Sequence, residues 1–125
     1  MNVYLDTHIV LWLHDRLLDR LSPVAIEAIE THPVFISALV ELELQYLHEI
    51  GRIRPKAHAV IRALSNSIGL KVSDIPLSET VRFACPLTWT RDPFDRLIVG
   101  ETMAAKGKLI TKDKLILEHY SQALC

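Results

Sequence analysis

Short apolar runs alternate with longer amphipathic stretches along the chain, and this alternation predicts strands followed by helices. Four apolar runs are β-prone, and we interpret them as strands: residues 2–5, 34–36, 70–72 and 109–111. Capping residues, prolines and glycines mark the limits of the predicted helices, which cover about residues 8–14, 23–31, 38–50, 55–66, 80–84 and 93–106, with a last short helix after Asp113. The sequence beyond that helix is ambiguous, so it does not decide whether a fifth strand follows.

Strands that alternate with helices indicate an α/β fold, here a short parallel sheet of four to five strands with helices on both faces. We expect residues 1–125 to form a single domain. Ligands of such sheets bind beyond the carboxyl ends of the strands. Asp6 follows the first strand and Asp113 the last, while Ser37 follows the second and leads into the helix that carries Glu43. The architecture therefore predicts that these distant side chains meet at one edge.

Composition narrows the function classes. The 125 residues are 50% hydrophobic with a net charge of −1, so there is no general basic field and any nucleic-acid contact must be local. Cys85 and Cys125 lie far apart, and the six histidines lack metal-ligand spacing, which argues against a zinc site or a disulfide framework. The chain shows no signal peptide and no apolar run long enough for a membrane span. We expect a cytoplasmic protein with no membrane contact.

Glu43 is the most informative acidic residue. In a helix over residues 38–50, the apolar face consists of Leu39, Val40, Leu42, Leu44, Tyr46, Leu47 and Ile50. Glu43 falls in the middle of this arc, whereas Glu41 lies on the polar side. Glutamate is rarely buried without a partner, and an unpaired buried carboxylate is costly. A buried Arg or Lys would be a structural explanation, and a metal shared with other carboxylates a functional one.

Three aspartates stand at predicted helix starts, where each alone is more simply interpreted as an N-cap: Asp6, Asp92 and Asp113. Asp95 falls in the first turn of the helix that begins at Pro93, where the helix dipole favours an anion. Pairing with Arg91 or Arg96 is the alternative explanation for Asp95.

A gathering of four acids is nevertheless what a hard divalent cation requires. Mg²⁺ and Mn²⁺ prefer oxygen ligands. In phosphodiester cleavage such an ion lowers the pKa of a bound water and neutralises charge on the phosphoryl oxygens, and two ions about 3.5–4 Å apart can act on both the attacking and the leaving oxygen. We therefore predict a metal-dependent nuclease site formed by Asp6, Glu43, Asp95 and Asp113.

Four motifs in order now resemble those of PIN-domain ribonucleases, specifically the VapC-type toxins of toxin–antitoxin pairs. They are Leu5-Asp6-Thr7-His8 with Leu11-Trp12, then Ser37-Ala38 with Glu43-Leu44 and a following Gly51-Arg52, then Asp92-Pro93-Phe94-Asp95-Arg96-Leu97-Ile98, and finally Leu109-Ile110-Thr111-Lys112-Asp113. Each motif is weak by itself, but their order and spacing span nearly the whole chain.

The resemblance implies a Mg²⁺- or Mn²⁺-dependent endoribonuclease that forms a homodimer and is inhibited by a cognate antitoxin whose tail covers the acidic pocket. It assigns the four family acids to Asp6, Glu43, Asp95 and Asp113, with Ser37, Asp92 and Thr111 as supporting residues around them. One position departs from the pattern, because Leu115 stands where many relatives carry a further acid. The number of metal ions is left open by this departure.

RNA must be guided to an acidic pocket by nearby cations. The candidates flank the third and fourth acids: Arg91, Arg96, Lys112 and Lys114. Within the family, an RNA-processing nuclease without an antitoxin and a non-catalytic RNA- or protein-binding domain are alternatives, although the latter should have lost one of the acids. An aspartyl-phosphate phosphatase would need a second aspartate two residues after Asp6, where this chain has His8, and it leaves Glu43 unexplained.

Overall fold

The computed structural model describes all 125 residues and contains five strands and seven α-helices. The strands are β1 (Val3–Leu5), β2 (Val34–Ile36), β3 (Lys71–Val72), β4 (Lys108–Ile110) and β5 (Ala123–Leu124). The helices are α1 (Thr7–His14), α2 (Pro23–Thr31), α3 (Ala38–Glu49), α4 (Ala57–Ile68), α5 (Leu77–Ala84), α6 (Pro93–Ala104) and α7 (Lys114–His119), with a short 3-10 helix at Leu18–Arg20. No helix combines the length and the hydropathy that crossing a membrane would require.

The five strands form one parallel sheet in the order β3-β2-β1-β4-β5, which confirms the predicted α/β class. Val3 of β1 is aligned with Val34 of β2 on one side and with Lys108 of β4 on the other. The carboxyl ends of the two central strands therefore lie side by side. The residues that follow them, Asp6 and Thr111, meet at this edge.

The core surrounds β1, whose three residues are all buried, as expected for a central parallel strand. Helix α6 packs closely against α5 at Gly100, where an added Cβ would lie only 2.8 Å from the Thr80 carbonyl oxygen. Only glycine permits this approach of two helices. Because Asp95 lies on α6, this contact helps to fix where that carboxylate stands relative to the sheet.

Local sequence signals define the helix starts to different degrees. The Ser22 hydroxyl accepts a hydrogen bond from the Ala25 amide and Pro23 begins α2, as the serine–proline pair predicts. Small differences occur where local signals are weak: α4 begins at Ala57, without a side-chain cap, and α5 begins at Leu77. The tail forms the short strand β5, which completes the sheet beside β4.

Candidate functional site

One pocket of about 250 Å³ at the carboxyl edge of the sheet is lined entirely by polar and charged side chains. It brings together the four acids singled out from the sequence, together with a fifth carboxylate and three neighbours. The lining residues are Asp6, Thr7, His8, Glu43, Asp92, Asp95, Lys112 and Asp113. They come from the ends of β1 and β4 and from helices α1, α3 and α6.

Asp6 differs from the other acids of the pocket in that both of its carboxylate oxygens accept hydrogen bonds. One carboxylate oxygen accepts the Thr7 amide at 2.9 Å, and the other accepts the Thr111 hydroxyl at 2.6 Å. The buried Thr111 hydroxyl also accepts the backbone amide of Asp113 at 3.1 Å. Thr111 therefore links the first acid to the fourth, and this contact gives a physical basis for its predicted supporting position.

Glu43 lies at the pocket rather than among apolar side chains alone. Its carboxylate accepts a hydrogen bond from the Thr7 hydroxyl, and no Arg or Lys pairs with it, since the one ion pair of the structure joins His14 and Asp15. Burial raises the pKa of Glu43, the Thr7 hydrogen bond opposes that rise, and the negative charge of Asp6 adds to it.

The predicted helical phase of residues 38–50 correctly placed Glu43, and not Glu41, at the acidic pocket, but the predicted apolar face was wider than the buried face of α3. Glu41 lines a different cavity, beside Ala38 and His58. However, three residues assigned to the apolar face are largely exposed: Leu42, Tyr46 and Ile50. Helix α3 contacts the core through the narrower stripe that includes Val40 and Leu44, so Glu43 stands at the border of the buried face.

Asp95 carries the largest electrostatic perturbation in the pocket. Its pKa is raised to about 7, chiefly because the carboxyl group is buried and then because of the negative charges of Asp92, Asp6, Asp113 and Glu43. Neither Arg91 nor Arg96 pairs with it. A carboxyl group in this state is one that a bound cation would convert to its charged form.

Asp92 and Asp113 are N-caps and also line the pocket, so the two interpretations of these residues are compatible. The Oδ1 atom of Asp92 accepts the amides of Phe94 and Asp95. The Oδ1 atom of Asp113 similarly accepts the amides of Leu115 and Ile116. In both residues these bonds engage a single carboxylate oxygen, which leaves the second oxygen available to a ligand.

Ser37 does not line the acidic pocket. Its hydroxyl caps α3 by accepting the Leu39 amide at 3.1 Å, and it donates to Oε1 of Glu101 at 2.8 Å. Ser37 and Glu101 are both buried, so the pair joins the start of α3 to the middle of α6. Glu101 was missed in the sequence, although its helical phase, three residues after the buried Ile98, was a usable signal.

This buried pair can be tested by a double-mutant cycle. Ser37→Ala and Glu101→Leu should each reduce the free energy of unfolding, with a coupling energy of about 1–2 kcal/mol, because Ala removes the hydroxyl donor and Leu removes the carboxylate acceptor of a buried hydrogen bond. Denaturant titration of the two single variants and the double variant measures the coupling. Strictly additive effects would show that the hydrogen bond does not join the two helices.

Of the four predicted RNA-contacting cations, one lies in the acidic pocket and three lie outside it. Lys112 lines the acidic pocket, and Lys114 is exposed outside it. Arg91 donates to the Thr88 carbonyl at 3.0 Å, and Arg96 donates to the Cys85 carbonyl at 2.8 Å. Both arginines face a neighbouring cavity and not the acidic one, so they lie farther from the acids than their sequence positions suggested. Leu115, at the position often acidic in relatives, also lies outside the pocket lining.

The donor set fits a hard divalent cation by its chemistry. The pocket holds five carboxylates and one lysine, so acidic side chains outnumber basic ones. The carboxylates and the Thr7 hydroxyl offer oxygen atoms as ligands, and Mg²⁺ and Mn²⁺ prefer oxygen ligands. No three His, Cys, Asp or Glu side chains already stand in a ready ligand arrangement. Carboxylates held through one oxygen, such as Asp113, would therefore rotate toward a bound ion, while Asp6, which is held through both oxygens, stays in place.

Comparisons with known proteins agree with this architecture. A sequence model described as PIN domain matches residues 3–121. The chain is 29% identical over 120 residues to Ribonuclease VapC22 of Mycobacterium tuberculosis, covering 94% of this chain and 91% of that protein. A VapBC2 structure from Rickettsia felis, bound to a promoter DNA fragment, superposes with a TM-score of 0.75 at 17% identity and covers 100% of this chain and 98% of that one. A toxin–antitoxin complex from Klebsiella pneumoniae gives a TM-score of 0.67 at 16% identity, with 98% and 96% covered.

Proposed function

The chain belongs to the PIN-domain family, and we propose that it is a divalent-metal-dependent endoribonuclease of the VapC type, the toxin of a toxin–antitoxin pair. The observation that carries this proposal is the single pocket in which Asp6, Glu43, Asp95 and Asp113 converge with no arginine to neutralise them. The related mycobacterial protein is named a ribonuclease, which supports RNA as the substrate.

In the proposed site, the four carboxylates would hold Mg²⁺ or Mn²⁺, with Asp92 beside them. When bound, the ion supplies charge neutralisation at the phosphate and a more acidic water. Thr111 and Thr7 hold Asp6 in a fixed orientation, and the Thr7 hydroxyl also restrains Glu43. Lys112, the one cationic Lys or Arg side chain in the lining, would bind a nonbridging phosphate oxygen of the RNA.

The reaction is hydrolysis, in which a water oxygen forms a bond to phosphorus while the bond from phosphorus to the leaving ribose oxygen breaks. The chain's contribution is largely to fix negative side chains before substrate arrives. Asp6, held through both oxygens, needs little reorganisation. Asp95, with a pKa raised to about 7 in the metal-free site, must lose its proton to act as a ligand, so we expect metal affinity, and cleavage at a limiting metal concentration, to increase with pH through that range.

For partners, we propose a homodimer and a cognate antitoxin whose tail covers the acidic pocket. Support for the antitoxin comes from proteins of the same fold that were solved as VapBC or toxin–antitoxin complexes, whereas the homodimer rests on the family resemblance alone. If a neighbouring gene encodes a small DNA-binding protein, that protein should inhibit cleavage. Failure of that protein to inhibit would instead favour an RNA-processing nuclease without an antitoxin.

Cleavage of total RNA by the purified protein tests the central proposal. We expect cutting with Mg²⁺ or Mn²⁺, loss of at least about a hundredfold in EDTA, and recovery when the ion is added back, because charge neutralisation at the phosphate is lost with the ion. Fragment analysis on a denaturing gel measures the rate. Undiminished cutting in EDTA would overturn the metal-dependent mechanism, and no cutting under any condition would favour a non-catalytic binding domain.

A further inference from the structure

Trp12 holds two cationic side chains that are distant in sequence. The guanidinium carbon of Arg20 lies 5.7 Å from the centroid of the Trp12 ring, and the Nζ atom of Lys112 lies 6.0 Å from it. Arg20 belongs to the 3-10 helix, and Lys112 follows β4. The half-buried Trp12 packs against the core, so its ring is a fixed support for two exposed side chains.

Neither cation forms an ion pair with an acidic side chain of the protein. The one ion pair of the structure, His14 with Asp15, involves neither of them, although the chain contains 15 acidic residues. Cation–π contacts restrain the side chains without removing their charge. Arg20 and Lys112 therefore form a small cationic patch without ion-pair partners, at the border of the carboxylate pocket, and its geometry depends on Trp12.

This patch is continuous with the acidic pocket. Lys112 lines the pocket and also contacts the face of Trp12. On α1, His8 lines the pocket one helical turn before Trp12, a spacing that places the two side chains on the same side of the helix. Cations thus extend from the rim of the carboxylate cluster onto the surface beyond it.

We propose that Arg20 and Lys112, positioned by Trp12, form a phosphate-binding track that holds single-stranded RNA on one side of the cleavage pocket; this deepens the proposed nuclease function and rests on it. Five carboxylates repel a polyanion, so the strand needs cationic contacts beside the pocket. The two cations occupy the ring of Trp12, which makes the ring their support and not a platform for base stacking.

An RNA strand fits these observations better than an acidic peptide does. Both anions would satisfy Arg20 and Lys112, but a peptide extending from the track into the pocket would place carboxylates among carboxylates. A phosphodiester strand enters the same pocket as the substrate of a bound cation. The continuity between the track and the pocket therefore favours RNA.

The salt dependence of RNA binding tests the track. A fluorescently labelled short single-stranded RNA is titrated with the full chain in Mg²⁺, in a Glu43→Gln background that should bind without cutting. Arg20→Ala and Lys112→Ala should each weaken binding about threefold to tenfold and reduce the slope of log K against log salt by about 0.7, the value for one lost phosphate contact on a single strand. Arg62→Ala and Lys71→Ala, exposed residues on α4 and β3, are matched controls that should leave the slope unchanged.

Trp12 is tested by its effect on the two cations. Trp12→Leu should weaken binding and make a further Arg20→Ala change nearly silent, whereas Trp12→Phe, which keeps an aromatic face, should restore most of the binding and the slope. Unchanged slopes in both cation variants would overturn the track, as would the absence of RNA binding by the background protein. Normal RNA slopes combined with weaker binding of an acidic antitoxin peptide would assign the patch to the protein partner. If the parent protein does not cleave RNA but the salt-dependence slopes change as expected, the nuclease proposal would be refuted and the phosphate-binding track would still be supported.

Discussion

Glu43→Gln should lower RNA cleavage by roughly a hundredfold to a thousandfold or more, whereas Glu41→Gln should leave it within about twofold. The two glutamates are two residues apart on α3, yet only Glu43 lines the acidic pocket, and Glu41 borders another cavity beside His58. Asp6→Asn should match the loss seen for Glu43→Gln, because Thr7 holds both carboxylates in one cluster, Asp6 through its backbone amide and Glu43 through its hydroxyl. Carboxylates that act together give losses of this size when one is neutralised.

Initial rates of cleavage in Mg²⁺ measure the difference between the two glutamate variants, and thermal unfolding monitors the fold. Glutamine keeps an oxygen that accepts the Thr7 hydroxyl, so Glu43→Gln should fold normally and the loss should be one of function. Equal losses for the two glutamates, or little loss for Glu43→Gln, would show that the pocket identified by geometry is not where the chemistry occurs.

The order of strands and helices was predictable because its signals are local. A short apolar run indicates a buried parallel strand, and Ser22-Pro23 or Asp92-Pro93 indicates a helix start. These signals do not depend on distant parts of the chain. Parallel connection then places the carboxyl ends of β1 and β4 together, so Asp6 and Asp113 could be expected at one edge. The convergence of the acids followed from topology and required no knowledge of side-chain contacts.

Contacts that depend on which elements pack together could not be read in the same way. Helical phase identified Glu43, but the width of the buried face of α3 depends on its neighbours, and Leu42 and Tyr46 proved to be exposed. Arg91 and Arg96 were placed near the acids by sequence position, yet both donate to backbone carbonyls around α5. Long flexible side chains can reach several partners, so their sequence neighbours indicate little about the contact they make.

Asp95→Asn should make the metal-free protein more stable at pH 8 and should give a clearly smaller gain in stability at pH 5. The folded-state pKa of Asp95 is raised from an ordinary 3.8 to about 7, first by burial and then by the surrounding carboxylates. Between these values the folded protein keeps a proton that the unfolded chain releases. The associated stability is therefore present below about pH 4 and is lost as pH rises through the folded-state pKa.

Asparagine removes the cost of charging residue 95 while keeping its size. After discounting for partial solvent exposure, the gain at pH 8 should be about 1–2 kcal/mol, or roughly 3–8 °C in Tm. The first-turn helix dipole favours the aspartate, but that contribution is only about 0.3–1 kcal/mol, so burial and repulsion should dominate.

Thermal unfolding in EDTA at pH 5 and pH 8 measures the gain, with the exposed Asp19→Asn as a control that should show no pH-dependent difference from the parent. Mg²⁺ should then reverse the ranking at pH 8. The parent gains stability from a bound ion, because the ion binds only the folded state, while Asp95→Asn has lost a charged ligand and should gain much less. An Asp95→Asn protein that is less stable than the parent in EDTA at pH 8 would show that burial and the neighbouring carboxylates do not destabilise the charged form of Asp95. Equal gains from Mg²⁺ in the two proteins would show that Asp95 does not contribute to the ion's binding.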